Sequence, residues 1–199
     1  GGWHNPDYEG LGNRKFGKNL SRYFMEKIEY PFFRYYLEGK GKRPEPVYLF
    51  ASGSEEWQVM EKWPADGIDY TPLYLSENSS FSFDQPIQLQ SSDTYISDPL
   101  SPVPFMEDAS RRNNAYMVAD QTFASMRSDV LTYTSPVIEE TLKLHGPLQV
   151  RLDLAISSED ADIVVKFIDV HPDGYQMLLE GIDAIAAAKK KQADVLIID

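Results

Sequence analysis

Three histidines, His4, His145 and His171, and a complete absence of cysteine bound the nucleophilic chemistry open to this chain. A serine hydrolase centre needs a serine on a strained strand-to-helix elbow with Gly-x-Ser-x-Gly spacing. It also needs a histidine to take the proton and a carboxylate to orient that histidine. Gly53-Ser54 lacks the first glycine and falls between two strand-like segments, and no serine stands beside a histidine in sequence. His145 precedes Gly146-Pro147 and reads as a strand-end residue, and His171 precedes Pro172 in a turn. Histidines this scattered make no metal cluster. The carboxylates of Glu159-Asp-Ala-Asp162 and Asp169-Val-His-Pro-Asp173 offer oxygen ligands without the spacing of an EF-hand loop. Asp98, before Pro99, suits an Asx turn better than a ligand. The expectation is therefore no catalytic residue, no metal and no cofactor, with any substrate-binding residues unknown.

The elements that would position such groups divide the chain unevenly. It has 199 residues, 42% of them hydrophobic and 13% aromatic, enough to bury a sizeable core. A net charge of −12 argues against a nucleic-acid surface, which needs clustered Lys and Arg. The longest apolar runs, such as Ala184-Ile-Ala-Ala-Ala188, are far short of the ~20 residues of a membrane-spanning helix, and no charged-then-apolar leader is visible. No nucleic acid and no membrane are expected as partners, and no compartment is indicated. Residues 1–43 hold nine Lys and Arg against five Asp and Glu, whereas 44–199 hold ten against twenty-six, or +4 against −16. The joint Glu38-Gly-Lys-Gly-Lys-Arg-Pro-Glu-Pro46 has the Gly and Pro punctuation of a helix stop and linker.

Before that joint, Leu20, Tyr23, Phe24, Ile28, Phe32 and Tyr35 or Tyr36 recur at helical intervals. Asn19 or Ser21 could cap the start, Pro31 predicts a kink or two abutting helices, and Gly39 can supply the left-handed C-terminal residue. After the joint, the period changes to two. Val47–Phe50, Trp57–Met60, Leu73–Leu75, Phe81–Phe83, Thr94–Ile96, Val130–Tyr133, Val150–Ile156 and Ile163–Val170 read as strands, punctuated by Gly, Pro, Asn, Asp and Ser. The Pro-rich stretch from Pro99 to Ala124 should cross between or around sheets, which suits a jelly roll better than a meander. The expected fold class is mainly β, a jelly-roll-like β-sandwich preceded by a helical segment.

Arg127-Ser-Asp-Val-Leu-Thr-Tyr-Thr-Ser135 and Val164-Val-Lys-Phe-Ile-Asp-Val-His-Pro-Asp173 carry a family resemblance. They resemble the C-terminal, non-catalytic β-domain of the α/β-hydrolases that include cocaine esterase, the X-Pro dipeptidyl-peptidases, the glutaryl-7-aminocephalosporanic acid acylases and the α-amino acid ester hydrolases. Tyr30-Pro-Phe-Phe-Arg-Tyr-Tyr-Leu-Glu-Gly-Lys-Gly41 is similar to the last helix of that family's hydrolase domain. Phe50-Ala-Ser-Gly-Ser-Glu-Glu-Trp57 and Trp63-Pro64 are similar to the opening strands of its galactose-binding-like jelly roll. Ser97-Asp-Pro-Leu-Ser-Pro-Val-Pro-Phe105 and Tyr116-Met-Val-Ala-Asp-Gln-Thr-Phe-Ala124 are closest to the acylase and amino-ester-hydrolase branch.

The resemblance implies three parts: residues 1–43 as a C-terminal remnant of an α/β-hydrolase domain, 44–181 as the jelly roll, and 182–199 as an atypical helix-strand tail. Gly1-Gly-Trp3 and Leu11-Gly12 match the continuation that follows the family's catalytic histidine, which puts that base before residue 1 and leaves His4 an ordinary loop residue. Asp162, Lys166 and Asp169 would lie on a structural strand, where a partly buried Lys166 could pair with either acid. The implied function is a C-terminal β-domain fragment of a serine hydrolase acting on ester or amide bonds, inactive alone, with the α/β-hydrolase core as its partner. Val195–Ile198 is expected to pair with an exposed sheet edge, either within the chain or in a symmetric homodimer. The alternative is an autonomous jelly-roll binding module for carbohydrate or protein.

Overall fold

The computed structural model describes residues 9–12, 14–17, 19–51, 54–67, 70–87, 91–111, 113–139 and 147–179. His4, His145 and the helix-strand tail of 182–199 lie outside the described residues. The chain divides into two compact units, residues 1–68 and 69–199, so the first long hairpin groups with the helix that precedes it.

In the first unit, β1 (Gly10–Leu11) and β2 (Arg14–Lys15) pair antiparallel. A continuous helical stretch follows as α1 (Leu20–Tyr23), a π-helical segment (Phe24–Glu29) and α2 (Tyr30–Glu38). The interruption expected at Pro31 takes the form of this wider turn. Pro31 sits in the first turn of α2, and the amide of Tyr30 just before it reaches back five residues to the Met25 carbonyl. Proline has no N–H to continue the four-residue ladder, so a local five-residue register accommodates it. Asn19 does occupy the N-cap position, but with left-handed backbone (φ 59°) and without a side-chain cap, while Ser21 is buried inside the first turn. Gly39 ends the helix as expected, at φ 68°. Its amide donates to the Tyr35 carbonyl at 3.1 Å, the bond of an αL stop, and that of Lys40 reaches the Arg34 carbonyl at 3.2 Å.

Strands β3 (Val47–Ala51) and β4 (Glu56–Met60) then form an antiparallel hairpin. Phe50 lies opposite Trp57, their rings 5.3 Å apart, and Tyr23 of α1 stacks on Trp57 at 5.2 Å with planes 12° apart. Such aromatic pairs contribute about 0.5–1.5 kcal/mol beyond the area they bury. Phe24 and Ile28 line a concavity of about 360 Å³ together with Tyr48, Phe50 and Trp57. Phe32 does not take part, being 45% exposed.

In the second unit, β5 (Tyr74–Ser76) and β6 (Ser80–Ser82) form a hairpin whose turn puts Asn78 and Ser79 in left-handed backbone. Phe81 and Tyr133 are its buried centre, with Leu73, Leu75, Leu131 and Phe167 packed around them. The main chain of Thr134 bonds both Ser79 and Phe81, so residues 133–134 lie along the β6 edge. A 3-10 turn (Asn114–Val118), capped by the Asn113 side chain, leads into the short α3 (Thr122–Ser125). Strands β7 (Ile168–Val170) and β8 (Gln176–Leu178) form the last hairpin. Residues 119–121 pair along the other edge of β8: the Gln121 amide donates to the Gln176 carbonyl and the Leu178 amide to the Ala119 carbonyl.

Among the described residues strands outnumber helical segments, so the fold is mainly β. Thr94–Ile96 and Val150–Ile156 run as irregular backbone, and of the expected strand from Ile163 only Ile168–Val170 and a bridge at Phe167 are paired. Alternating apolar residues make a strand only where a neighbouring segment supplies the facing N–H and C=O groups.

A Cβ added at Gly39 meets nothing within 4 Å, so Gly39→Ala tests backbone geometry alone. It should cost about 1 kcal/mol because an L side chain disfavours the left-handed region. A urea midpoint equal to that of the parent chain would show that the helix does not end in this stop.

Candidate functional site

The second unit contains a dense polar node, and it lies on the stretch 116–124. Gln121 is fully buried. Its side-chain amide donates to the Ala119 carbonyl at 3.3 Å, and its side-chain oxygen accepts from the Lys166 ammonium. The same ammonium stands 5.7 Å from the centroid of the Phe123 ring. Burial pushes the Lys166 amine below its ordinary value. The expected pairing of Lys166 with Asp162 or Asp169 is not what the structure has. The partner is an amide from a distant segment, and Asp169 lies instead 3.5 Å from His171 Nε2. On an extended chain Asp169, three residues on, falls on the opposite face, and Asp162, four residues back, shares the face but lies ~13 Å away along it, so closeness in sequence brings neither acid to the ammonium.

Asp120, next to Gln121, collects three donors on one oxygen: the Thr122 amide at 3.0 Å, the Thr122 hydroxyl at 2.7 Å and the Gln176 amide at 3.1 Å. Burial alone would raise this carboxyl, but the hydrogen bonds outweigh it and hold Asp120 below the usual carboxylate range. Tyr175 completes the node by donating its hydroxyl to the Val118 carbonyl at 2.8 Å. Segments 118–122, 166 and 175–176 are thus tied by side chains whose polar atoms point at one another. Nothing in this arrangement presents an unpaired nucleophile.

A second cluster lies at Arg127-Ser-Asp129. Arg127 forks onto Asp129 through Nε at 2.7 Å and Nη2 at 2.6 Å, and Nη2 also donates to the Ser101 carbonyl at 2.7 Å. The hydrogen bonds from Arg127 hold the Asp129 carboxyl below its ordinary value. Asp98 accepts from the Leu100 amide at 2.9 Å, which is the Asx turn read from the sequence. These groups line a shallow, open pocket with Ile96 and Ser128. Tyr133, of the apolar centre, donates to Asp93 at 2.7 Å, and burial followed by that carboxylate pushes its hydroxyl well above the ordinary phenol value.

Among the described residues, those considered for chemistry do not converge. Ser54 occupies the turn between β3 and β4, a hairpin and not a strand-to-helix elbow. His171 opens the β7–β8 turn, with its ring edge-on to Tyr175 at 6.0 Å. Glu159 and Asp162 are exposed, and Asp160 bonds the adjacent Ala161 amide. Among the described residues no three His, Asp or Glu are grouped to hold a metal ion, and no helix is long and apolar enough to cross a membrane. The sequence reading missed the role of Gln121 and Asp120. The pattern Asp120-x-Thr122 ahead of a short helix was the available signal for the capping part of it.

Because the folded carboxyl of Asp120 is depressed, its contribution is present above the unfolded carboxylate value, near pH 4, and is lost as pH falls through the lower folded value. Asp120→Asn should cost roughly 1 kcal/mol near neutrality, since the site is partly solvated, and should flatten the fall in melting temperature between about pH 5 and 2. Identical acid slopes for the two proteins would show that Asp120 titrates alike folded and unfolded.

Comparison with known proteins gives these fastened polar clusters a family context. The sequence model of the X-Pro dipeptidyl-peptidase C-terminal non-catalytic domain matches residues 30–188. Cocaine esterase of Rhodococcus sp. (strain MB1 Bresler) is 30% identical over 185 residues, 82% of this chain and 32% of that protein. A solved α-amino acid ester hydrolase superposes with a TM-score of 0.76 at 32% identity, covering 88% of this chain and 32% of that one. An aminopeptidase from the marine sediment archaeon Thaumarchaeota archaeon gives 0.74 at 27% identity, covering 89% and 32%. The chain spans about a third of the length of each. With four-fifths of its residues matched to that model, the chain belongs to the family of X-Pro dipeptidyl-peptidase C-terminal non-catalytic domains.

Proposed function

We propose that this chain is the C-terminal β-domain of a serine hydrolase that cleaves ester or amide bonds, and that it is catalytically inactive by itself. The observation that carries this reading is the coverage: a family defined as C-terminal and non-catalytic matches residues 30–188, while related enzymes are three times as long. The names of those relatives, an esterase, an amino acid ester hydrolase and an aminopeptidase, are what support acyl-bond cleavage as the parent reaction. In such an enzyme the serine is acylated and the acyl group is then discharged to water or an amine.

Residues 1–43 then form the end of the hydrolase domain, 44–181 the jelly roll and 182–199 an added tail. The partner of the β-domain is the α/β-hydrolase core, against which it packs and whose cleft it helps to shape. The polar node of Asp120, Gln121 and Lys166 fits that role, because a domain that borders a cleft without reacting in it needs a fixed shape.

The purified chain should hydrolyse activated phenyl and thiophenyl esters no faster than buffer and should take no covalent label from a serine-directed fluorophosphonate. Turnover that survives purification and disappears in His4→Ala would overturn the reading, because it would place a working base in this chain.

A further inference from the structure

Residues 150–156 have the alternation of a strand and none of its bonds. Their main chain makes no hydrogen bond among the described residues. Leu148, Val150, Leu152, Leu154 and Ile156 recur at every second position, so an extended chain puts them on one face. Leu148, Leu154 and Ile156 are 54, 49 and 50% exposed. Open N–H and C=O groups beside a half-exposed apolar face are what an added strand covers. The stretch ends in the exposed turn 157–162, where the carboxylates of Glu159, Asp160 and Asp162 have no cationic partner among the described residues.

We infer that residues 195–198 close this edge as an antiparallel strand within the same chain, whatever reaction the parent protein performs. Residues 180–199 lie outside the described residues, and three observations select this occupant. The first is reach. The last described residue, Leu179, is fastened through its amide to the Phe167 carbonyl at 2.8 Å. Phe167 is five residues from Asp162, at most ~18 Å of chain, and the ten residues from Leu179 to Lys189 span ~15 Å if helical and ~35 Å if extended. The second is charge. Lys189-Lys-Lys191 is the longest uninterrupted basic run in the sequence, and it ends four residues before Val195, as Asp160 stands four residues after Ile156. The third is register. With Lys191 opposite Asp160, antiparallel pairing sets Lys189 opposite Asp162, Val195 opposite Ile156 and Ile197 opposite Leu154. Opposed residues share a face, so Val195 and Ile197 widen the apolar stripe while two ion pairs mark its end. The family model matches only as far as residue 188, so this pairing is no part of what the family defines. A second copy is the poorer occupant: a short tether holds the chain's own segment at an effective concentration on the order of millimolar, and two copies at −12 repel.

The absence of cysteine makes the register directly testable. In the full chain, Leu154→Cys with Ile197→Cys should form an intramolecular disulfide at least tenfold faster than Gln149→Cys with Ile197→Cys, a pair that the register keeps five residues out of step. Lys189→Glu/Lys191→Glu should remove that difference, and Asp160→Lys/Asp162→Lys added to the same chain should restore it. Hydrogen–deuterium exchange gives a second readout without cysteines. Every second amide of residues 150–156 should exchange at least tenfold more slowly in the parent chain than in Val195→Asp/Ile197→Asp. Equal oxidation of the two cysteine pairs overturns the pairing, and so does equal exchange in the parent and the tail variant. A disulfide that links two chains instead of closing one overturns the intrachain occupant in favour of a second copy.

Discussion

A fully buried side-chain amide is the constraint around which the second unit is arranged. Gln121 offers an oxygen and a nitrogen that water cannot reach, and leaving either unmatched would cost roughly 1–3 kcal/mol. The fold meets this with the Ala119 carbonyl and the Lys166 ammonium. Lys166 is in turn a charge that burial disfavours, and it is tolerable there because the amide oxygen and the Phe123 ring both attract it. Each group makes the other acceptable. The main chain of Gln121 pairs with Gln176 and the side chain of its neighbour Asp120 bonds the same residue, so the positions of β8 and of residue 166 are fixed from one dipeptide.

The first unit is organised by packing rather than polarity. Trp57 meets Phe50 across the hairpin and Tyr23 from the helix, and the π-helical segment places Phe24 and Ile28 beside the same ring system. A helix of uniform register would not meet the strands in the same way, because each five-residue turn rotates the downstream side chains relative to those upstream. The change of register before Pro31 thus separates the half of the helix that faces the hairpin from the half whose aromatic residues face outward.

How much of this was readable from the sequence depends on whether the signal was local. The hairpin of β3 and β4 announces itself through Val47-Tyr-Leu-Phe50 and Trp57-Gln-Val-Met60, and the end of the helix through Gly39, because each reflects preferences of a few adjacent residues. The family was legible too, since its motifs are contiguous runs. Residues 150–156 alternate as a strand should, yet ladder formation depends on a facing segment that periodicity does not name. Lys166 is the clearest case. Sequence places two acids three and four residues away, whereas the oxygen it bonds belongs to a residue forty-five positions earlier. A lone glutamine has no periodic signature, so nothing in the sequence marks Gln121 as the most buried polar group described.

The segment joining α2 to β3 leads to one further property. From Lys40 to Arg43 it is exposed and carries three basic residues, Lys40, Lys42 and Arg43. Besides this strip of backbone, the stack of Tyr23 on Trp57 joins the helix to the hairpin. A trypsin-like protease would therefore find Lys40 and Lys42 outside any helix or strand, and the stack of Tyr23 on Trp57 would oppose separation of the two pieces after a cut. The same stretch is a natural place to open the chain for circular permutation or to splice in a foreign loop.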